Sequence, residues 1–234
     1  MKTLRAWTPF VLAAALGAMG VGVGAGVGVA TDNAERAVAV EANASPDSSL
    51  TLRQDMRRLW SEHVFWTRVY LIAAAADAPD QKAASDRLMK NQEDLGDALA
   101  PYYGKTAAGK FTGLMKDHIG IAVDLIRAAK AGDKARAAEA DKRWQDNAEQ
   151  IAQFLSEANP HWLSSTLTEM MRDHLRSTTN EVNARLDKRW ERDVAAFDEV
   201  YDHALKLSDT LSDGIIKQFP DRFDAGVKTG ANTK

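Results

Sequence analysis

A chain of 234 residues, 45% apolar and 27% charged, is long enough for one substantial core and lacks the composition of a disordered protein. It has no cysteine, which excludes disulfides, thiolate metal ligands and a cysteine nucleophile, so any metal must be held by imidazole and carboxylate. The formal net charge of −3, with acids and bases interspersed, lacks the basic footprint of a nucleic-acid-binding protein, and no nucleic-acid partner is expected.

Residues 1–30 read as an export signal. Lys2 and Arg5 precede an uncharged run from Ala6 through Phe10, Val11 and Leu12 to Val29 and Ala30. Gly28 and Ala30 suit the −3 and −1 positions of a cleavage site, and Ala42-Asn43-Ala44 fits the same small-residue rule further on. The run is also long enough to span a bilayer at about 1.5 Å per residue, which makes an uncleaved membrane anchor the competing reading. Gly17, Gly20, Gly22, Gly24, Gly26 and Gly28 dilute its hydrophobicity and favour cleavage. The expected location is therefore periplasmic or secreted, with membrane association through residues 6–30 if the leader is retained. Residues 31–49, rich in Ala, Asn, Asp, Ser and Pro without period, read as a disordered linker. The folded domain is expected over residues 50–223, with a disordered tail over 224–234.

From Leu52 onward apolar residues recur at alternating three and four spacing, the mark of helices that pack on helices, and nothing reads as a strand. The first helix carries Leu52, Met56, Leu59, His63, Trp66 and Tyr70, and ends at Asp77-Ala78-Pro79-Asp80. The second carries Leu88, Gln92 or Asn91, Leu95, Leu99 and Tyr102, closed by Pro101 and Gly104. The third shows Phe111, Leu114, His118, Ile121, Leu125 and Ala128 before Gly132-Asp133. The fourth shows Ala137, Ala140, Trp144, Asn147, Ile151 and Phe154 before Asn159-Pro160. The fifth holds Leu167, Met171, His174, Thr178 and Val182. The sixth holds Trp190, Val194, Phe197, Tyr201, Leu211 and Ile215 before Pro220, with the break between these two placed within Asn183 to Lys188. The expected fold is an all-α, up-and-down bundle of six helices arranged as three helical hairpins.

Four of the five histidines follow an acid: Glu62-His63, Asp117-His118, Asp173-His174 and Asp202-His203; His161 alone sits in an Asn-Pro-His-Trp turn. His63 lies about as far before the first turn as Asn91 and Gln92 lie after it. His118 and Asn147 bracket the second turn in the same way, and His174 and His203 the third. Equal counts from an antiparallel turn mean equal height, because both helices rise by about 1.5 Å per residue. With the turns at one end, these residues share one level, roughly 20 Å from the turns. The spacings of 55 and 56 residues between His63, His118 and His174 suggest a degenerate internal repeat.

Three blocks carry a resemblance: Leu59-Trp60-Ser61-Glu62-His63-Val64-Phe65-Trp66-Thr67-Arg68, Asn91-Gln92-Glu93-Asp94-Leu95-Gly96-Asp97-Ala98-Leu99-Ala100-Pro101-Tyr102-Tyr103-Gly104 and Ser212-Asp213-Gly214-Ile215-Ile216-Lys217-Gln218-Phe219-Pro220. In this order they resemble an uncharacterised family of bacterial all-helical proteins whose members circulate under borrowed enzyme names such as glycosyltransferase or acetylglutamate kinase. The resemblance covers nearly everything from Leu50 to Phe223 and implies the helical fold without a mechanism. No sugar-nucleotide or kinase motif accompanies it. The leader departs from that family, and His203 is less typical of it.

Interior imidazole must be hydrogen-bonded or bind something. His63, His118 and His174 sit on apolar seams, so the level is either a hydrogen-bonded structural layer or a metal site built from His63, His118, His174 and His203. Glu62, Asp117, Asp173, Asp202, Asn147 and Gln92 are the candidate supporting residues. The four acids project about 100° away from the histidines beside them, so they can support only a neighbouring helix. The cofactor such a layer suits is a divalent transition metal. Zinc, copper(II), nickel and iron all fit, and the residues do not choose among them. Glu-x-x-His and His-Glu-x-x-His are both absent, which disfavours a di-iron oxidase and excludes a zincin protease. Met56, Met115, Met170 and Met171 precede the first three histidines by three to seven residues and read as core filler rather than ligands. Gly104-Lys105-Thr106 lacks the upstream glycine and strand of a phosphate loop. The leading expectation is a non-enzymatic binding or structural protein of the cell envelope. A metal-dependent enzyme using the same layer and a ligand-free structural protein are the alternatives.

Overall fold

The structure, a computed structural model, describes residues 48–223, all within the unit Ser45–Lys234; the leader, most of the linker and the tail fall outside the described residues. These residues form five helices: α1 (Ser48–Ala76), α2 (Gln81–Lys130), α3 (Lys134–Ala158), α4 (Ser164–Leu186) and α5 (Trp190–Gln218), followed by a 3₁₀ turn at Pro220–Arg222. Among the described residues there is no strand, and no helix is long and apolar enough to cross a membrane.

Five helices stand where the residue pattern suggested six, because the break expected after Tyr102 is a single residue. Gly104, at φ 79° and ψ 162°, is the one non-helical position inside α2. The chain doubles back there: a Cβ added to Gly96 would lie 3.1 Å from the Ala108 carbonyl oxygen. On a straight helix residues twelve apart are about 18 Å from one another. α2 thus has two arms, one running alongside α1 and the other alongside α3.

The turns repeat with the sequence. Asp77 (φ 50°), Gly132 (φ 69°) and Lys188 (φ 59°) are left-handed, and each lies fourteen positions after His63, His118 and His174 respectively. At each, the following N–H reaches back to a buried alanine carbonyl: Ala78 to Ala73 (2.9 Å), Asp133 to Ala128 (3.0 Å) and Arg189 to Ala184 (2.8 Å). These are three copies of the hydrogen-bonded left-handed helix end known as the Schellman motif. Side chains then reinforce two of the turns: Asp133 accepts from the Arg136 N–H at 3.1 Å, and Lys130 pairs with Asp77 at 2.6 Å.

Bundle closure brings α1 against α5. Arg53 pairs with Asp213, Arg57 with Asp209 at 2.6 Å, and Ser61 donates to Tyr201 at 3.1 Å. Nearer the turns Arg68, partly buried, bonds Glu181 at 2.5 Å and Asp193 at 2.9 and 3.0 Å, and Arg185 reaches Asp193 at 3.0 Å. Burial pushes the Glu181 carboxyl up to about 7 against the pull of Arg68. This cluster corrects the first half of the stripe expected on the last helix, whose later positions Leu211 and Ile215 are buried as expected. Trp190, Val194 and Tyr201 are exposed, and the buried face runs through Asp193, Ala196, Val200, Ala204 and Leu207. The face is rotated by one residue, about 100°. The two arginines draw Asp193 inward, and the small Ala196 and Ala204 admit close approach.

Only one of the three left-handed turn residues is a glycine. A side chain at such φ costs about 1–2 kcal/mol, offset in part by the entropy glycine adds to the unfolded chain. Lys188→Gly is therefore expected to stabilise the protein by about 0.5–1 kcal/mol, read as a higher urea midpoint. Gly104→Ala meets no side chain, yet its backbone region is nearly glycine-only, so it should cost about 1–3 kcal/mol. A neutral Gly104→Ala would contradict the single-residue reversal.

Candidate functional site

The common level inferred from residue counts is present. His63 on α1, His118 on the second arm of α2 and His174 on α4 bring their rings together, with centroids 6.5 Å (63 to 118), 6.0 Å (63 to 174) and 6.2 Å (118 to 174) apart. Three helices from three hairpins thus converge on a nearly equilateral triangle. His63 and His118 are buried, and His174 is partly so.

Two rings are fixed by amides on the helix beside them. Gln92 donates its Nε2 proton to the Leu88 carbonyl at 2.7 Å, so its Oε1 faces His63 Nδ1, at 3.2 Å. Asn147 donates Nδ2 to the Leu114 carbonyl at 3.1 Å and presents Oδ1 to His118 Nδ1 at 2.8 Å. An amide oxygen can only accept, so both Nδ1 atoms carry the proton and both Nε2 atoms keep a lone pair. The geometry is a repeat in itself: Asn91 donates to the Leu59 carbonyl at 3.0 Å, four positions before His63, as Asn147 does four positions before His118.

In the third hairpin the amide's position is taken by His203, partly exposed. The single proton of the Ser177 hydroxyl goes to the carbonyl of Asp173 (3.0 Å) or His174 (3.1 Å), so Ser177 accepts from His203 Nδ1, at 3.2 Å.

A void of about 10 Å³ lies among Trp60, His63, Met115, His118, Met170, Met171, His174, His203, Ala204 and Leu207. It is the size of one water molecule or one ion. Gln92 and Asn147, which hold the Nδ1 atoms of His63 and His118, are not among its walls. No carboxylate lines it.

Burial and mutual proximity keep these rings neutral. Burial lowers His63 to about 3, helped by His118, and lowers His118 to about 4. Burial likewise holds His174 well below 6.5, with His63, His118 and His203 adding to the effect.

Of the other candidates, Gln92 and Asn147 hydrogen-bond the rings of His63 and His118. Glu62 pairs instead with Arg58 and Arg87, and Asp173 with Arg176. Asp117 and Asp202 are exposed. The residue pattern missed Met115, Met170 and Met171 as chamber walls, although a signal existed. Trp60, Met115 and Met171 each precede an axial histidine by three positions, repeating at the same 55 and 56 residues.

As placed, no three of the histidines and carboxylates among the described residues hold metal-binding geometry. A point equidistant from the three centroids is about 3.6 Å from each. A metal bound through Nε2 at about 2.0–2.1 Å would sit about 3.2 Å from a ring centroid.

Fold and site together define an all-helical bundle with an interior chamber lined by four imidazoles, of which His63, His118 and His174 are kept neutral by burial. Compared with family models, curated proteins and solved structures, the chain matches none.

Because the three rings are held below their unfolded value of about 6.5, the folded state takes up fewer protons than the unfolded state below that pH. Stability is thus fully present above pH 6.5 and lost as pH falls toward 4, by about 1.4 kcal/mol per pH unit for each ring. Urea midpoints at pH 7 and pH 5 should differ accordingly, and His118→Asn should lessen the slope by one proton. Equal midpoints would contradict the neutral layer.

Proposed function

We propose that this chain is an exported, non-enzymatic binding protein that holds a single transition-metal ion between the Nε2 atoms of His63, His118 and His174, with His203 at the chamber's partly exposed side. The observation that carries the reading is the tautomer lock. Gln92 and Asn147 hold His63 and His118 by Nδ1 and leave the Nε2 lone pairs free on two rings that line a void of ionic size. Metal-bound histidines are oriented by such partners, which fix the tautomer and raise ligand basicity.

A void of about 10 Å³ favours binding over catalysis, since small-molecule sites occupy about 300–1,000 Å³. Export rests on Lys2, Arg5 and the uncharged run over residues 6–30. The same void favours one competing account: a single water accepting from His174 and donating to two Nε2 atoms would complete a purely structural layer.

The test is metal loading of the full chain, purified without a histidine tag and dialysed separately against zinc, copper, nickel, iron and manganese, with elemental analysis and melting temperature as readouts. One ion per chain is expected. At free ion a hundred times Kd the folded state should gain about 2.7 kcal/mol. The gain should vanish on chelation and in His63→Ala, His118→Ala and His174→Ala. Failure of every ion to bind or to raise the melting temperature would overturn the metal reading and leave the water-filled layer.

A further inference from the structure

The walls of the chamber say which ion it suits. Resting on the reading just given, we infer that the bound ion is copper(I), held by the three imidazoles with thioether sulfur from Met115 or Met171 beneath them.

Three observations converge on this. The first is charge. The chamber's walls are imidazole, thioether, indole and hydrocarbon, with no carboxylate among them. The nearest buried acids, Glu181 and Asp193, are engaged by Arg68 and Arg185; Glu181 lies seven residues beyond His174, about 10 Å along the helix. With no anion to neutralise it, a bound ion keeps its full charge in a desolvated site. The solvation cost rises as the square of that charge, so a dication costs about four times as much as a monocation.

The second is donor softness. Met115 and Met171, both buried, stand one helical turn before His118 and His174, on the face the histidines share, and Met170 adds a third sulfur at the partly exposed side. Thioether donors select copper(I) over zinc, nickel and iron. With no cysteine in the chain, methionine is the only source of sulfur.

The third is shape. The triangle of rings, 6.0 to 6.5 Å on a side, is already wider than a trigonal arrangement requires, and a tetrahedral ion would draw the rings closer still. Copper(I) accepts three donors in a plane and tolerates a long fourth bond to sulfur, the coordination that needs the least movement here. His174, His203 and Met170 keep partial exposure on one side, which gives an ion a way in.

The experiment titrates the full chain with copper(I) under anaerobic conditions against a chromophoric copper(I) chelator, and with zinc(II) against a zinc indicator. One copper(I) per chain is expected, bound at least about a hundredfold more tightly than zinc(II). Met115→Leu combined with Met171→Leu conserves volume and should leave the melting temperature of the metal-free protein nearly unchanged. It should weaken copper(I) by about tenfold or more and leave zinc(II) unaffected, because only the soft ion uses sulfur. X-ray absorption of the copper(I) form should show sulfur scattering that this variant lacks. Tighter zinc(II) than copper(I), or a leucine variant that binds copper(I) as well as the parent, overturns the copper(I) assignment while leaving the metal reading intact. Binding of neither ion overturns both.

Discussion

The count of fourteen residues from each axial imidazole to the left-handed residue ending its helix is the constraint on which the described bundle depends. The three ends are closed by the same backbone bond onto a buried alanine, at Ala73, Ala128 and Ala184, so each helix is anchored alike. At about 1.5 Å per residue the rings all fall roughly 21 Å from their turns. One inserted residue would lift a ring by about 1.5 Å and swing it about 100° off the axis. Equal length is therefore what assembles the triangle. The alanines matter because a larger side chain at the same places would push the adjoining helix of each hairpin away.

Height also separates the two polar layers of the interior. Burial keeps His63, His118 and His174 neutral, and two of them meet an amide: Asn147, which also donates to the Leu114 carbonyl of the opposite helix, and Gln92, which donates to Leu88 of its own helix while Asn91 beside it reaches the Leu59 carbonyl of the opposite one. Desolvation is kept modest because the buried rings at this level carry no charge. Ionised groups are gathered nearer the turns, where Arg68 joins Glu181 and Asp193 across three helices and Arg185 completes the set. Removing one partner there would strand a buried charge, whereas the histidine level has no charge to strand. The two layers answer different needs: the upper one fixes which helices meet, and the lower one leaves an uncharged space between them.

Much of this was legible from residues alone, for one physical reason: a helix has a constant rise, so counting from a turn gives height. That argument brings His63, His118, His174, His203, Asn147 and Gln92 or Asn91 to one level. It could not give azimuth with the same accuracy. On α5 the apolar residues Trp190, Val194 and Tyr201 describe a stripe one position away from the buried one, and nothing local to α5 reveals that Arg68 and Arg185 pull Asp193 inward. The reversal at Gly104 was legible as a break and illegible as a single residue, since Pro101 and Tyr102 remain helical beside it. By residue type alone the methionines read as filler. Their chamber role shows only when Trp60, Met115 and Met171 are seen as one repeating position three residues before the ring. The leader and tail lie outside the described residues, so those expectations are untouched by the fold.

The third hairpin is where the repeat departs from itself, and the departure sets how the chamber communicates with solvent. In the first two, an amide twenty-nine positions after the histidine closes the level against the neighbouring helix. In the third that position is His203, turned toward Ser177. His174 is left without the amide that the other rings have, and His174, His203 and Met170 remain partly exposed together. A layer with three amides would be sealed, and exchange of anything inside it would require a hairpin to open, at a cost approaching that of unfolding the subdomain. With two amides and one histidine, the first two hairpins can stay closed and keep their tautomers fixed while the third supplies the opening. Rigidity and access are thus divided between hairpins of one repeat.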